Sequence, residues 1–241
     1  MRISNPTYSA TRWARRHVGE YHTGLYMITS ICGLIDAVCF LALGGAFAEM
    51  MTGNLLLLAL TVGTGTHFSN MDHYLTAIVA FTFGALLGGY IVNAARQSGR
   101  YQRVGYVVEW FALVCACVLA LTTGPRPDSW SGIALVSMLA FSMGIQNAIV
   151  RSYGIQDLAT NVMTMTYTAI FADSHFVKGN NPRWQRRVGS VLLFFTSAVI
   201  GALLLHFGVA VPLILATTIF TLALYPLLFG RRHDEAPAPK H

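Results

Sequence analysis

The chain has 241 residues, 54% of them hydrophobic and only 11% charged, with a mean hydropathy of +0.54 and a formal net charge of +6. Soluble domains carry roughly 25% charged residues, so this composition cannot cover a surface facing water and points to a bilayer. The positive balance does not indicate nucleic acid, because the basic residues sit in short loops between apolar runs rather than along one face.

Residues 1–22 are polar and contain Arg2, Arg12, Arg15 and Arg16. They are expected to form a basic cytoplasmic segment, with Trp13 near the interface. The first apolar run, about 24–45, is followed by Ala46-Phe47-Ala48, which resembles a leader cleavage site. The apolar core of a signal peptide has roughly 7–15 residues, so this longer run is read as a span that stays. Further apolar runs lie at about 74–95, 104–122, 131–150, 187–207 and 209–229. Each is near the roughly 20 residues that a helix needs to cross about 30 Å of hydrocarbon. Two more segments, about 51–64 and 160–172, are too short to be assigned as easily. They either cross as short spans or dip in and return to their own side.

Charge decides between these topologies. With six spans, both short segments re-entrant and the N-terminus inside, fifteen of the sixteen Lys and Arg residues are inside and only Arg126 is outside. With eight spans, Arg96, Arg100, Arg103 and Arg151 move outside and the ratio falls to 12:4. The excess of Lys and Arg on the cytoplasmic side favours six spans, with eight as the alternative. The expectation is an all-α polytopic membrane bundle: a single membrane domain over 23–230, with both termini cytoplasmic, in a bacterial cytoplasmic membrane. Residues 231–241, with Pro237 and Pro239, read as a disordered tail.

Two internal repeats are expected, about 24–122 and 131–230. Gly33-x-x-Asp36-Ala37 matches Gly144-x-x-Asn147-Ala148, and Met51-Thr52 matches Met163-Thr164. Gly84-Ala85-x-x-Gly88 matches Ser197-Ala198-x-x-Gly201. Three spans per unit make the halves run in opposite directions, an architecture of transporters with broken helices near the midplane. Gly84 and Gly88, with Gly89, put small residues on one helix face, read as internal packing in preference to a dimer contact.

Polar residues inside the apolar runs are the candidates for function. Asp36 stands within the first span, where an acid is expensive and functional by default; Asn147 is its repeat mate. Thr52, Gly53 and Asn54, and Thr160 to Thr166 with Asn161 and Thr164, are expected to cap the starts of the two short helices. Helix N-termini meeting at the midplane would favour polar or anionic solutes. Glu49, Gln146 and Arg151 are accessory candidates. Glu109 reads as a partner of Arg103 or Arg100. His67, Asp72 and His73 share a loop that does not favour a metal site. Cys32, Cys39, Cys115 and Cys117 lie in apolar runs without zinc-site spacing, so they read as small buried hydrophobes. Nucleotide-binding, zinc-protease and nucleophile-elbow motifs are absent, and no cofactor, metal or enzymatic activity is expected.

With Gly33, Asp36 and Ala37 in the first span, Phe47 and Met51-Thr52-Gly53-Asn54 after it, and Gly144, Gln146, Asn147, Ala148 and Arg151 later, the chain resembles the YoaK-like bacterial membrane proteins, a family with a domain of unknown function. The resemblance covers about 30–230 and implies a multi-spanning cytoplasmic-membrane protein, with no substrate. Met165 departs from it by standing where the family usually has glycine.

The resulting expectation is a small secondary transporter or permease. Its central site comprises Asp36, Thr52, Gly53, Asn54, Asn147, Asn161 and Thr164, with Asp36 responsive to a proton or cation. The expected partners are the lipid bilayer and a small solute or ion, with a homo-oligomer allowed. The rival expectation is a scaffold or sensor that transports nothing, in which the polar residues only hold helices together.

Overall fold

The computed structural model describes residues 6–65, 71–95, 101–152, 163–177, 179–181 and 183–229. The described residues form eight α-helices and no strands: α1 (Pro6–Ala42), α2 (Met51–Thr64), α3 (Met71–Ala95), α4 (Tyr101–Thr123), α5 (Trp130–Ser152), α6 (Met163–Ala172), α7 (Trp184–Leu204) and α8 (Ala210–Phe229). Six of them contain apolar stretches of spanning length: 23–42, 71–94, 103–123, 130–152, 184–207 and 210–228. Helices α2 and α6 have 14 and 10 residues. At 1.5 Å per residue they are about 21 Å and about 15 Å long, short of the roughly 30 Å hydrocarbon core.

Side-chain pairs give the direction of each span. Tyr26 on α1 donates to the Arg186 carbonyl on α7. Further along, Gly33 faces Phe194 and Ser197, and Gly201 faces Leu34 and Ala37. Both numbers rise together, so α1 and α7 are parallel. The pairs Trp110–Thr221 (2.9 Å) and Cys117–Thr217 (3.1 Å) run in opposite senses, so α4 and α8 are antiparallel. A tight turn at Leu205–Phe207 reverses the chain from α7 into α8. Helix α4 therefore points the same way as α1, which requires one net crossing, α3, to return between them. Gly44, just after α1, lies against the His73 ring at the start of α3, so the chain leaves α1 and begins α3 on the same side. Thus α2 does not cross. Helix α5 is joined to α4 by a short loop and opposes it, with Gly105 against Ile149. Because α5 and α7 run in opposite directions, α6 does not cross either. The described residues thus form six alternating spans and two re-entrant helices.

Close backbone approach at glycine holds the spans together. Gly33 is pressed against the Phe194 carbonyl, Ser197 and Ala198, while Gly144 is pressed against the Phe81 carbonyl, Gly84 and Ala85. Gly88 meets Ile145 and Ala148, and Gly201 meets Leu34 and Ala37. Gly84 and Gly88 are thus consumed by packing on α5. Helices α1 and α5 are the most enclosed spans; in α1, Leu25, Ile28, Ile31, Leu34, Ile35 and Val38 are buried. By contrast Leu86, Phe111, Leu121, Phe195 and Leu203 are exposed, as the lipid-facing side of a membrane bundle requires. The tail beyond Phe229 lies outside the described residues.

Candidate functional site

The chain does not pass directly from α1 into α2. After Ala42 it turns through Gly44 (φ 92°) and Gly45 (φ 78°), backbone conformations that glycine tolerates and other residues resist. It then folds back along α1. The Asp36 carboxylate, through Oδ1, accepts the backbone N–H of Ala48 at 2.8 Å and of Glu49 at 3.0 Å. Asp36 is about 9 Å before the end of α1 at helical rise, so α2 starts well below the end of the span. Asn54 secures the other flank of the loop. Its Oδ1 accepts the Phe47 N–H at 2.8 Å and its Nδ2 donates to the Phe47 carbonyl at 2.7 Å. The Phe47 ring lies over Gly53, where a Cβ would approach it to 2.9 Å, and stacks on Phe40 at 4.9 Å. Asp36, Phe47, Gly53 and Asn54 therefore form one clasp around residues 46–50.

The expected capping role of Thr52 and Asn54 is corrected by this geometry. Helix α2 begins at Met51, its N-cap is Met50, and no side chain caps it. Thr52 and Asn54 lie inside the helix, and Asn54 spends its amide on the preceding loop. Gly53 admits an aromatic ring; a Cβ there would meet Phe47 and Met50.

The clasp presents Glu49 to a cavity of about 780 Å³. Glu49, Met50, Met51 and Thr52 line it from one side, and Met163, Thr164 and Tyr167 of α6 from another. Phe81, Ala85 and Gly89 of α3, Asn147, Ala148 and Arg151 of α5, and Val191 and Phe194 of α7 complete the wall. The first residues of both re-entrant helices thus meet at one space, where the positive ends of two helix dipoles point. Glu49 is buried, and its Oε1 accepts a hydrogen bond from Asn147 Nδ2 at 3.3 Å. The same amide donates to the Met143 carbonyl at 3.0 Å. Arg151, at the end of α5, is exposed, so the cavity reaches from a buried carboxylate to a guanidinium at the end of a span.

Of the residues expected at the centre, Thr52, Asn147 and Thr164 line the cavity, as do the accessory Glu49 and Arg151. Asp36, Gly53 and Asn54 stand behind it as the clasp. Gln146 faces away, with Nε2 bonded to Cys32 Sγ at 3.0 Å. Asn161 lies outside the described residues, as does His67. His73 is buried beside Gly44 and takes Asp72 as its partner at 2.9 Å. Glu109 departs most from expectation. It is fully buried, it does not pair with Arg103, and neither carboxylate oxygen has a hydrogen-bond partner. The sequence signal for this is the position of Glu109 inside the apolar run of about 104–122.

A family model described as Protein of unknown function (DUF1275) matches residues 24–225. The chain belongs to this family. The UPF0700 transmembrane protein YoaK of Bacillus subtilis (strain 168) is 27% identical over 207 residues, which cover 80% of this chain and 90% of that protein. No solved structure matches the chain. With a transmembrane relative and six apolar helices of spanning length, this DUF1275 member is a multi-pass membrane protein. Both the clasp and the cavity fall inside the segment that the DUF1275 model covers.

Proposed function

We propose that this protein is a small permease or secondary transporter of the cytoplasmic membrane, without enzymatic activity, and that a small polar solute or ion occupies the cavity between the two re-entrant helices. The observation that carries this reading is the convergence of the first residues of α2 and α6 on a cavity that holds one buried carboxylate, Glu49. Two helix N-termini, the Thr52 and Thr164 hydroxyls, the Asn147 amide and Arg151 offer hydrogen bonds to a polar solute. Glu49 takes the charge-responsive role first considered for Asp36, because Glu49 touches the cavity and Asp36 is committed to backbone N–H groups.

The inverted-repeat reading supports an alternating mechanism. Subtracting 113 from the α7 residues that enclose Gly33 gives Phe81, Gly84 and Ala85, the residues that enclose Gly144. Adding 111 to Leu34 and Ala37, which enclose Gly201, gives Ile145 and Ala148, which enclose Gly88. We take the halves as two copies of one unit related by an approximate twofold axis in the membrane plane. Of the described basic residues beyond α1, Arg103, Arg151, Arg183, Arg186 and Arg187 lie at the end where α1 enters and Arg126 at the other, and this bias supports a cytoplasmic location for the first end and both termini. The scaffold reading keeps one observation in its favour: Asp36 and Asn54 make the loop-holding bonds it expects of them.

Cysteine substitution tests the proposal. In a variant lacking the four native cysteines, Thr52→Cys and Thr164→Cys are expected to react with a membrane-impermeant thiol reagent, and lipid-facing Leu86→Cys is not. In proteoliposomes screened with small polar and ionic solutes, the solute that moves should be slowed by Glu49→Gln. If Thr52→Cys and Thr164→Cys are both unreactive from either side, there is no aqueous route and the transport reading fails.

A further inference from the structure

The buried polar groups of the α4–α5 interface are unused by the cavity. Glu109 on α4 is 0% exposed, as is Ser142 on α5, and Gln146 is 1% exposed. Four oxygens here have no hydrogen-bond partner: both of Glu109, the Ser142 Oγ and the Gln146 Oε1. Such groups are rare in a native interior, and each calls for a physical account. A lone buried carboxylate without any partner is the most expensive of them.

Helical phase places these groups on facing surfaces. Gly105 of α4 packs on Ile149 of α5, and the two helices are antiparallel. One turn along α4 from Gly105 is Glu109, and one turn back along α5 from Ile149 reaches Ile145 and Gln146, since residues three and four apart share a face. Ser142 lies one turn further on the α5 face that carries Gln146 and Ile149. The neighbouring turns are apolar: Tyr106, Leu113 and Ala116 of α4 and Leu139 of α5 are buried, with Tyr106 against Phe220 of α8. The Gln146 amide is fixed in direction, because its Nε2 is spent on Cys32, leaving its oxygen available on the other side. All four orphaned oxygens can accept, and only the Ser142 hydroxyl brings a proton of its own when Glu109 is ionised, so a cation among them would satisfy the set as a whole. Asn147, next to Gln146 in the chain, is bonded to Glu49 on the cavity wall.

We propose that Glu109, Gln146 and Ser142 form a binding site for a small alkali cation such as Na⁺, buried between α4 and α5 and separate from the solute cavity. The donor set is one carboxylate, one amide carbonyl and one hydroxyl. These are hard oxygen ligands, which suit alkali and alkaline-earth ions and not the softer metals that prefer imidazole or thiolate. A single carboxylate balances a single positive charge, which selects a monovalent ion. The site goes beyond the transport reading, because the ion can be bound whether or not a solute moves. If both hold, Glu49 and Asn147 connect the ion to the cavity, and the ion is the coupling ion.

The test is equilibrium binding of radioactive ²²Na⁺ to the purified full-length protein in detergent, with unlabelled Na⁺, Li⁺ and K⁺ as competitors. Saturable binding near one ion per chain is expected. Glu109→Gln should lower the affinity at least about tenfold, because an uncharged amide replaces the charged ligand. Ser142→Ala and Gln146→Leu should each lower it by about threefold or more. Elution volume and helical circular dichroism report whether each variant folds; should Glu109→Gln fail to fold, the Ser142 and Gln146 variants decide. Absence of saturable alkali-ion binding to the wild-type protein overturns the site, leaving a proton as the only occupant. Loss of binding in Glu49→Gln with retention in Glu109→Gln also overturns it, since the ion would then belong to the cavity. Because the measurement involves no flux, failure of the transport reading leaves its result intact.

Discussion

Replacing Asp36 by alanine and by asparagine separates a structural acceptor from a charge that must change during function. In the structure one carboxylate oxygen holds two backbone N–H groups, at 2.8 and 3.0 Å, on Ala48 and Glu49, both buried. Alanine leaves both donors without a partner and with no water to replace it. A buried unpaired group costs about 1–3 kcal/mol, so Asp36→Ala should destabilise by about 2–6 kcal/mol. Set against a total stability of about 5–15 kcal/mol, that is a large loss. Asparagine keeps an acceptor oxygen of the same reach and should cost about 1 kcal/mol. The assay is thermal unfolding of the detergent-purified protein, followed by the fraction that still elutes as a monodisperse peak after heating. Asp36→Ala should melt several degrees below wild type and Asp36→Asn close to it. Equal destabilisation by the two substitutions would refute the clasp, because it would show that the charge matters and the acceptor oxygen does not.

Three further outcomes are expected. Asn54→Ala removes both bonds to the Phe47 peptide and should destabilise by about 1–3 kcal/mol in the same melt, whereas Thr52→Ala, on the cavity wall, should stay within about 0.5 kcal/mol of wild type. Gly84→Ala drives a methyl group into the Phe141 carbonyl on α5 and should cost about 1–3 kcal/mol; Gly63→Ala, with nothing within 4 Å of its Cβ position, is the matched control and should be neutral or better. Single cysteines at Thr64, Thr123 and His206 should all label from one side of the membrane and one at Ser152 from the other; eight spans would instead separate Thr64 and Thr123 from His206.

Among these features, the membrane class, the six long spans and the re-entrant character of the two short helices were legible in the sequence. Each depends on additive properties: apolar length against bilayer thickness, and the distribution of Lys and Arg between loops. The polar motif around residues 33–54 was legible as a break in the apolar pattern, and Thr52, Asn147 and Thr164 line one cavity. The roles within the motif were not legible. Asp36 and Glu49 are both acids flanked by apolar residues, and nothing in their spacing says which one faces the cavity. Only the backward fold of the loop, with positive φ at Gly44 and Gly45, turns Asp36 to backbone N–H groups and Glu49 to the cavity. Glu109 was obscured for a related reason. Arg103 is near it in sequence, but the phase of α4 points Glu109 into the α5 interface while Arg103 stays exposed. Composition and periodicity decide which solvent a helix meets; which buried polar atom finds a partner depends on helix phase and loop geometry, and these are set by tertiary packing.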